Sequence, residues 1–506
     1  MRWAAGIAAA FTGLMAIAVP AAGAPSASLF QYGVAAGEVT STSAVLWTRA
    51  PKAGLVTLAV VARGATKARL FEGRATRDAD FTVQGVVRKL KPGMTYTYSF
   101  AQGKARSTVG TFTTAPAPAA DTPVRFAISG DADATPGPSG APGFNRFEVY
   151  ARMAAEKNAF NINLGDTIYS DSEVGGAPVA RTVRQKWEKY KLGLALPALQ
   201  KLRAAAGLYS HWDDHEFIND FSRAENGSDI YDAGVTAFLD YAPVRFTEAG
   251  GLYRTVRWGK NLELFFLDER SFRSAKVIEV CAGDLAPTAP QAVREAFSSL
   301  APALRNPVPP ACTAALNDPA RTMLGAGQYA AFTRAIKASK ATWKVVVNEV
   351  PIQQYYALPY DRWEGYAAER ERLLRFLQAN VTNVVFLTTD THANFVNEIR
   401  YSTLGGVPEG SGIWEVVTGP VATNTFAKEI DRFLGTPGAG TAIGALFFKP
   451  PPPNGMGMRC AALDTYSYSQ VTVTARTLTV AMKDANGRLV REATGAECAP
   501  LVLTAR

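Results

Sequence analysis

Histidine is scarce in this chain: only His211, His215 and His392 occur in 506 residues. Cysteine is nearly as rare, at four, and none of the four has the spacing of a zinc site, so a cysteine metal centre is excluded. Charged residues make up 19%, slightly low for a globular protein. The formal charge is +9, yet Lys and Arg do not cluster as they do in a nucleic-acid reader. That balance is compatible with an anionic substrate and argues against specific nucleic-acid binding. Beyond the N-terminus no hydrophobic run is long enough to read as a membrane span. No internal repeat is visible.

The N-terminus has Arg2, an apolar run to about Val19, then Pro20 and small residues to Ala24. That order reads as a secretory signal over residues 1–24, with cleavage between Ala21 and Ala27. A secreted or periplasmic protein meets an oxidising compartment, where four cysteines pair. Cys281 and Cys312 flank a Pro/Ala-rich insertion, and Cys460 and Cys498 are both C-terminal. The expected pairs are therefore Cys281–Cys312 and Cys460–Cys498.

The length suggests more than one domain. Residues 29–116 read as short β-branched and aromatic strands, including 43–48, 56–61 and 95–100, with a turn at Lys91-Pro92-Gly93. This spacing predicts a small all-β sandwich. Within it, 90–96 resembles the turn into a late strand of fibronectin type III-like domains. Residues 117–123 follow as a Pro/Ala linker. From 124 to 506 strands alternate with helical stretches, which gives an α/β domain. Expected strands are 124–129, 160–164, 208–212, 262–267, 343–347 and 384–387, and expected helices include 147–157, 328–338 and 367–379. The Gly/Pro-rich stretch 436–458 reads as a surface lid or insertion.

Acidic residues and two of the three histidines fall just past these strands. Asp131 and Asp133 follow the first, Asp166 and Tyr169 the second, and Asp213-Asp214-His215-Glu216 the third. Asn348 follows Val345-Val346-Val347, and Asp390, His392 and Asn394 follow 384–387. Carboxyl ends of strands are where open α/β sheets bind ligands. Several carboxylates meeting there would repel one another and resist desolvation, so the pattern calls for a cation. Metal candidates are Asp131, Asp133, Asp166, Tyr169, Asp214, Asn348, Asp390 and His392. A phenolate at Tyr169 is a hard donor suited to Fe³⁺. His215 is the candidate proton donor. Arg270, at the end of the strand 262–267, and Arg273, three residues on, are candidate clamps for a phosphoryl oxygen. Each residue type also has a plain structural use, so the ordered set matters more than any member.

Taken in order, these segments resemble the calcineurin-like metallophosphoesterase superfamily. Within it they are similar to the PhoD-type alkaline phosphatases through Gly165–Tyr169, Asp213–Glu216, Leu267–Arg273 and Asp390–Asn394. The resemblance covers nearly the whole mature chain. It implies a four-layer α/β/β/α core and a first metal, Fe³⁺, on Asp131, Asp166, Tyr169 and His392. It also implies Asp166 bridging to a second, Ca²⁺ or another divalent ion, on Asp214, Asn348 and Asp390. Many members carry Cys where this chain has Asp131, and a twin arginine where it has only Arg2, which leaves the Sec route open. The activity implied is hydrolysis of a small-molecule or lipid phosphate ester by a monomer. A phosphodiesterase or phospholipase D-like enzyme on the same scaffold, or a non-catalytic cell-surface binding protein, are the alternatives.

Overall fold

The computed structural model describes residues 29–299 and 301–506. The signal segment expected at 1–24 lies outside the described residues. Two large sheets form the centre. The first has nine strands, and its middle is β1 (Val124–Ser129), β2 (Phe160–Leu164) and β3 (Gly207–His211), all parallel. The second has seven strands, and its middle is β4 (Leu262–Phe266), β5 (Trp343–Asn348) and β6 (Val384–Thr388), also parallel.

These six strands are buried on both faces, so they read as near-continuous apolar runs. Alternation still sorts their side chains. Phe126 and Ile128 of β1 share one core with Leu264 and Phe266 of β4 and with Val345 and Val347 of β5. Ala127 and Leu208 face the other way, against Tyr150, Met153, Leu199, Leu202 and Phe238. Phe265, Val346 and Phe386 pack against Phe332, Ile336, Leu373, Leu374 and Leu377. Helices Glu148–Ala155, Pro197–Ala205 and Arg223–Tyr241 thus cover the first sheet, and Gly325–Ala338 and Ala367–Asn380 the second. The result is the α/β/β/α order expected from the sequence.

The N-terminal strands form the small sandwich, and one of its sheets is shared. Strands Val34–Gly37, Ser43–Arg49 and Thr82–Arg88 extend the nine-stranded sheet, through a parallel pair between Ala36 and Gly207. Strands Arg69–Ala75, Gly54–Ala62 and Thr95–Gln102, with two short ones, form the facing layer. The two sandwich layers and the interface between the large sheets make one continuous core.

Both expected disulfides, Cys281–Cys312 and Cys460–Cys498, are formed. The stretch 436–458, expected as a surface lid or insertion, is exposed over much of its length but is anchored to the core. It contains helix Ala439–Ile443 and a π-helical turn, Gly444–Phe448. Phe447, Phe448, Met456 and Met458 are buried against Tyr355 and Phe395, and these apolar anchors outweigh the Gly/Pro content. Among the described residues, no helix is long and apolar enough to cross a membrane.

Candidate metal centre

The turns after β1, β2, β3, β5 and β6 converge where the two sheets meet. Their backbones are knit together across elements. Ala132 N donates to Asp166 O at 3.0 Å, Gly165 N to His211 O at 3.2 Å, and Thr389 Oγ1 to Leu164 O at 2.8 Å. This closeness needs glycine twice. A Cβ on Gly130 would stand 2.2 Å from Leu164 O, and one on Gly165, whose φ is 76°, would stand 2.5 Å from Asp213 Cβ. Asp131, Asp166, Asp390 and His392 all have positive φ, at 57°, 49°, 67° and 55°. Non-glycine residues seldom adopt this region, and such outliers concentrate at functional sites.

The side chains gather in overlapping groups. Ligand-type atoms of Asp131, Asp166 and His392 lie within 4.8 Å of one another, as do those of Asp166, Asp214 and His215, and those of Asp213, Asp214 and Asp390. Asp166 belongs to two groups and so stands between them. Tyr169 Oη is 3.2 Å from His392 Nε2, and its ring stacks on that of His215 at 4.1 Å between centroids. Above them opens a cavity of about 570 Å³, lined by Asp166, Tyr169, Asp214, His215, Asp390 and His392 among others. Asp131 and Asn348 are fully buried outside that lining.

The chemistry of the donors fits a cation. Both carboxylate oxygens of Asp131 are buried with no hydrogen-bond partner, and so is Oδ1 of Asn348, whose amide nitrogen donates to Val350 O. Leaving such atoms unpaired is costly unless something positive completes them. Burial pushes Asp131 up to about 7. Burial, with Asp214 and Asp213 close by, raises Asp166 well above the carboxylate range. Asp390 is raised likewise by burial and by Asp213. Both imidazoles are aimed by carboxylates. His392 Nδ1 lies 2.9 Å from Glu429 Oε1 and His215 Nδ1 lies 2.6 Å from Asp171 Oδ1, which leaves each Nε2 for the cavity side. Burial opposes a charge on His215, but Asp214, Asp166 and Asp171 outweigh it and raise its pKa well above the ordinary value.

Three expected site residues stand elsewhere. Asp133 lines the cavity but uses its carboxylate locally: Oδ1 accepts from Thr135 N at 2.8 Å and Oδ2 accepts from Ser172 Oγ. That is a turn built by an aspartate on the backbone two residues on, and Asp133 joins none of the ligand groups. Arg270 and Arg273 were expected to face substrate; both are buried behind the cavity wall. Arg270 Nε donates to Asp213, its Nη1 to Asp361 at 2.8 Å, and its Nη2 lies 3.5 Å from Asp390. Arg273 Nη2 reaches Asp361 at 2.6 Å. So dense a set of buried carboxylates needs internal countercharge, and these two guanidinium groups supply it.

The structure also gives roles to residues to which sequence reasoning assigned none. Asp171 lies only two residues past Tyr169, so its strand-end position was the available signal. Glu216 accepts from Thr167 N at 2.6 Å and Asp213 N at 2.9 Å, which locks the turn after β2 to the turn after β3. Asp361, Arg362 and Glu429 come from loops and a helix with no local pattern to betray them.

This fold and this convergence of strand-end carboxylates are those of a metallophosphoesterase. The solved structure of PhoD superposes with a TM-score of 0.71 at 22% identity, covering 96% of this chain and 90% of that one. A purple acid phosphatase from yellow lupin (Lupinus luteus) seeds superposes with a TM-score of 0.58 at 11% identity, covering 94% of this chain and 74% of that one. The chain belongs to the PhoD-like phosphatase family: the family's main domain matches residues 137–445, and its N-terminal domain matches residues 16–116. Alkaline phosphatase D of Bacillus subtilis (strain 168) is 26% identical over 422 residues, 73% of this chain, and the chain spans 66% of that relative's length.

Proposed function

We propose that the protein is an exported, metal-dependent hydrolase of phosphate esters, of the alkaline phosphatase type. The observation that carries this reading is Asp131. Its carboxylate is fully buried with neither oxygen hydrogen-bonded, beside Asp166 and His392. A non-catalytic binding protein would gain nothing from so costly an arrangement. Family membership supplies the ester chemistry, and the N-terminal sequence supplies export.

Asp131, Asp166, Tyr169 and His392 would hold one ion, for which the phenolate favours Fe³⁺. Asp166, Asp214, Asn348 and Asp390 would hold a second, Ca²⁺ or another divalent ion. When bound, such ions activate water and neutralise phosphoryl oxygens. The chain's own residues do the rest. Asp171 fixes His215 so that Nε2 presents a proton to the leaving oxygen. Glu429 orients His392 through its Nδ1. Arg270 holds Asp213 and Asp361 in place from behind the wall.

Tyr169 provides the experiment. The purified protein should release phosphate from p-nitrophenyl phosphate and show a visible charge-transfer band, pink to purple in concentrated solution. Tyr169→Phe keeps the ring stacked on His215 and should remove the band with the fold intact. A colourless, iron-free, fully active enzyme would defeat the ferric assignment, and an inactive metal-loaded protein would defeat the phosphoesterase reading.

A further inference from the structure

Beside the carboxylate-lined cavity lies a second one, of about 670 Å³, with the opposite chemistry. Val293, Phe297, Tyr355, Ile430, Phe447 and Phe448 make much of its wall. Six residues line both cavities: Asn219, Leu358, Arg362, Phe426, Glu429 and Arg432. The two spaces therefore meet along one seam. Helix Phe426–Leu434 forms part of it by amphipathic spacing. Phe426, Ile430 and Phe433, at i, i+4 and i+7, serve the apolar cavity, while Glu429 reaches His392 of the metal centre. Leu358 and Phe433 are 48% and 67% exposed, so the apolar surface continues outward to the rim. At the seam, Arg362 Nε is buried with no hydrogen-bond partner, and its guanidinium lies over the Tyr355 ring at 5.3 Å.

We propose that the second cavity holds the apolar substituent of the substrate, with the phosphoryl group at the carboxylate cluster and Arg362 at the threshold between them. The inference rests on the phosphoesterase reading and narrows it to phosphate esters of alcohols with an extended alkyl chain. Continuity decides the occupant. A ligand whose phosphoryl group sits at the metal centre has this space as its apolar neighbour, and pockets of this size bury most of a small ligand's surface. Of the three cations at the cavity wall, Lys276 pairs with Asp220 and Glu225 and Arg432 with Glu173, while Arg362, which donates to Ala357 O, has no carboxylate partner among the described residues; behind the wall Arg270 and Arg273 are engaged by Asp213 and Asp361. In the reaction the bond from phosphorus to the alkyl oxygen breaks. Water supplies hydroxyl to phosphorus and a proton to the departing oxygen, and the alcohol is released as ROH.

The test is kcat/KM for n-alkyl phosphates from ethyl to octyl, each as monomer below its micelle threshold, followed by phosphate release from the enzyme as purified. Burying a methylene should raise kcat/KM roughly two- to fourfold, so octyl, with six more methylenes, should exceed ethyl by about 60-fold or more. Ala289 lines only the apolar cavity, and Ala289→Trp should collapse the octyl-to-ethyl ratio towards one. Arg362→Gln should raise KM for all chain lengths alike. A flat series in the unsubstituted protein overturns the apolar subsite and leaves the phosphoesterase reading standing. A ratio unmoved in both Ala289→Trp and Val293→Trp also overturns it, as does turnover of p-nitrophenyl phosphate with none of any alkyl phosphate, and failure to hydrolyse either kind of ester overturns both readings.

Discussion

Asp171 and His215 stand in the turns after two adjacent strands, and Oδ1 of the first lies 2.6 Å from Nδ1 of the second. Asp171 is fixed in turn by Asn219 N, which donates to its other oxygen at 2.6 Å. The imidazole is thereby held with Nε2 free, as a proton donor to a leaving group must be.

A general acid matters most when the leaving group is a poor one. His215→Asn should lower kcat about 10²–10⁴-fold for an alkyl phosphate. It should matter far less for p-nitrophenyl phosphate, whose phenolate leaves unprotonated. Asp171→Asn should show the same leaving-group dependence with a smaller loss, since it acts only by positioning. Equal losses on both substrates for both variants would show that His215 does not protonate the leaving oxygen.

Asp361 joins Arg270 and Arg273 to the back of the site, at 2.8 Å and 2.6 Å. Burial alone would raise its pKa, but the two guanidinium groups overcome that and hold it well below the carboxylate range. Asp361→Ala would strand Arg273 in the interior and take one of the carboxylate partners of Arg270, and should destabilise the fold by about 3–5 kcal/mol, measured by chemical denaturation. A loss under 1 kcal/mol would mean that Asp213 and Asp390 suffice as partners.

Asp240 lines neither cavity, and it should couple stability to pH. Burial pushes it up to about 7, against the hydrogen bond that Trp187 Nε1 donates to Oδ2 at 3.0 Å. The unfolded residue ionises near its ordinary value of about 3.9. Between those values the folded state keeps a proton that the unfolded state has lost, so stability falls as pH rises from about 4 to 7. Asp240→Asn removes that dependence and should raise the melting temperature by a few degrees at pH 8 and little at pH 4. An equal shift at both pH values would show that ionisation of Asp240 is not the cause.

Much of this was legible from residue order. The six central strands announced themselves as apolar runs because both faces are buried, and their ends marked the site because acidic residues follow at once. The need for glycine at 130 and 165 was not readable, since it comes from the close approach of Leu164 O and Asp213 Cβ. Arg270 and Arg273 misled: a sequence shows that an arginine is near a site, not which carboxylates lie behind it. Asp133 misled similarly, because an aspartate that caps its own turn looks like a ligand. Glu429 and Arg362 were invisible, since they reach the site only through tertiary packing. The edge pairing of Ala36 with Gly207 also left no local trace, which is why the sandwich read as separate while its sheet runs on into the core.

Asp166 is shared by two of the carboxylate groups, which places it to bridge two ions. Metal content per chain, measured by elemental analysis on the purified protein and on Asp166→Asn with phosphate release followed in parallel, tests that bridging role most directly. Two ions per chain are expected in the unsubstituted protein, and loss of about one ion together with turnover in Asp166→Asn. Full metal content and retained turnover in that variant would contradict it.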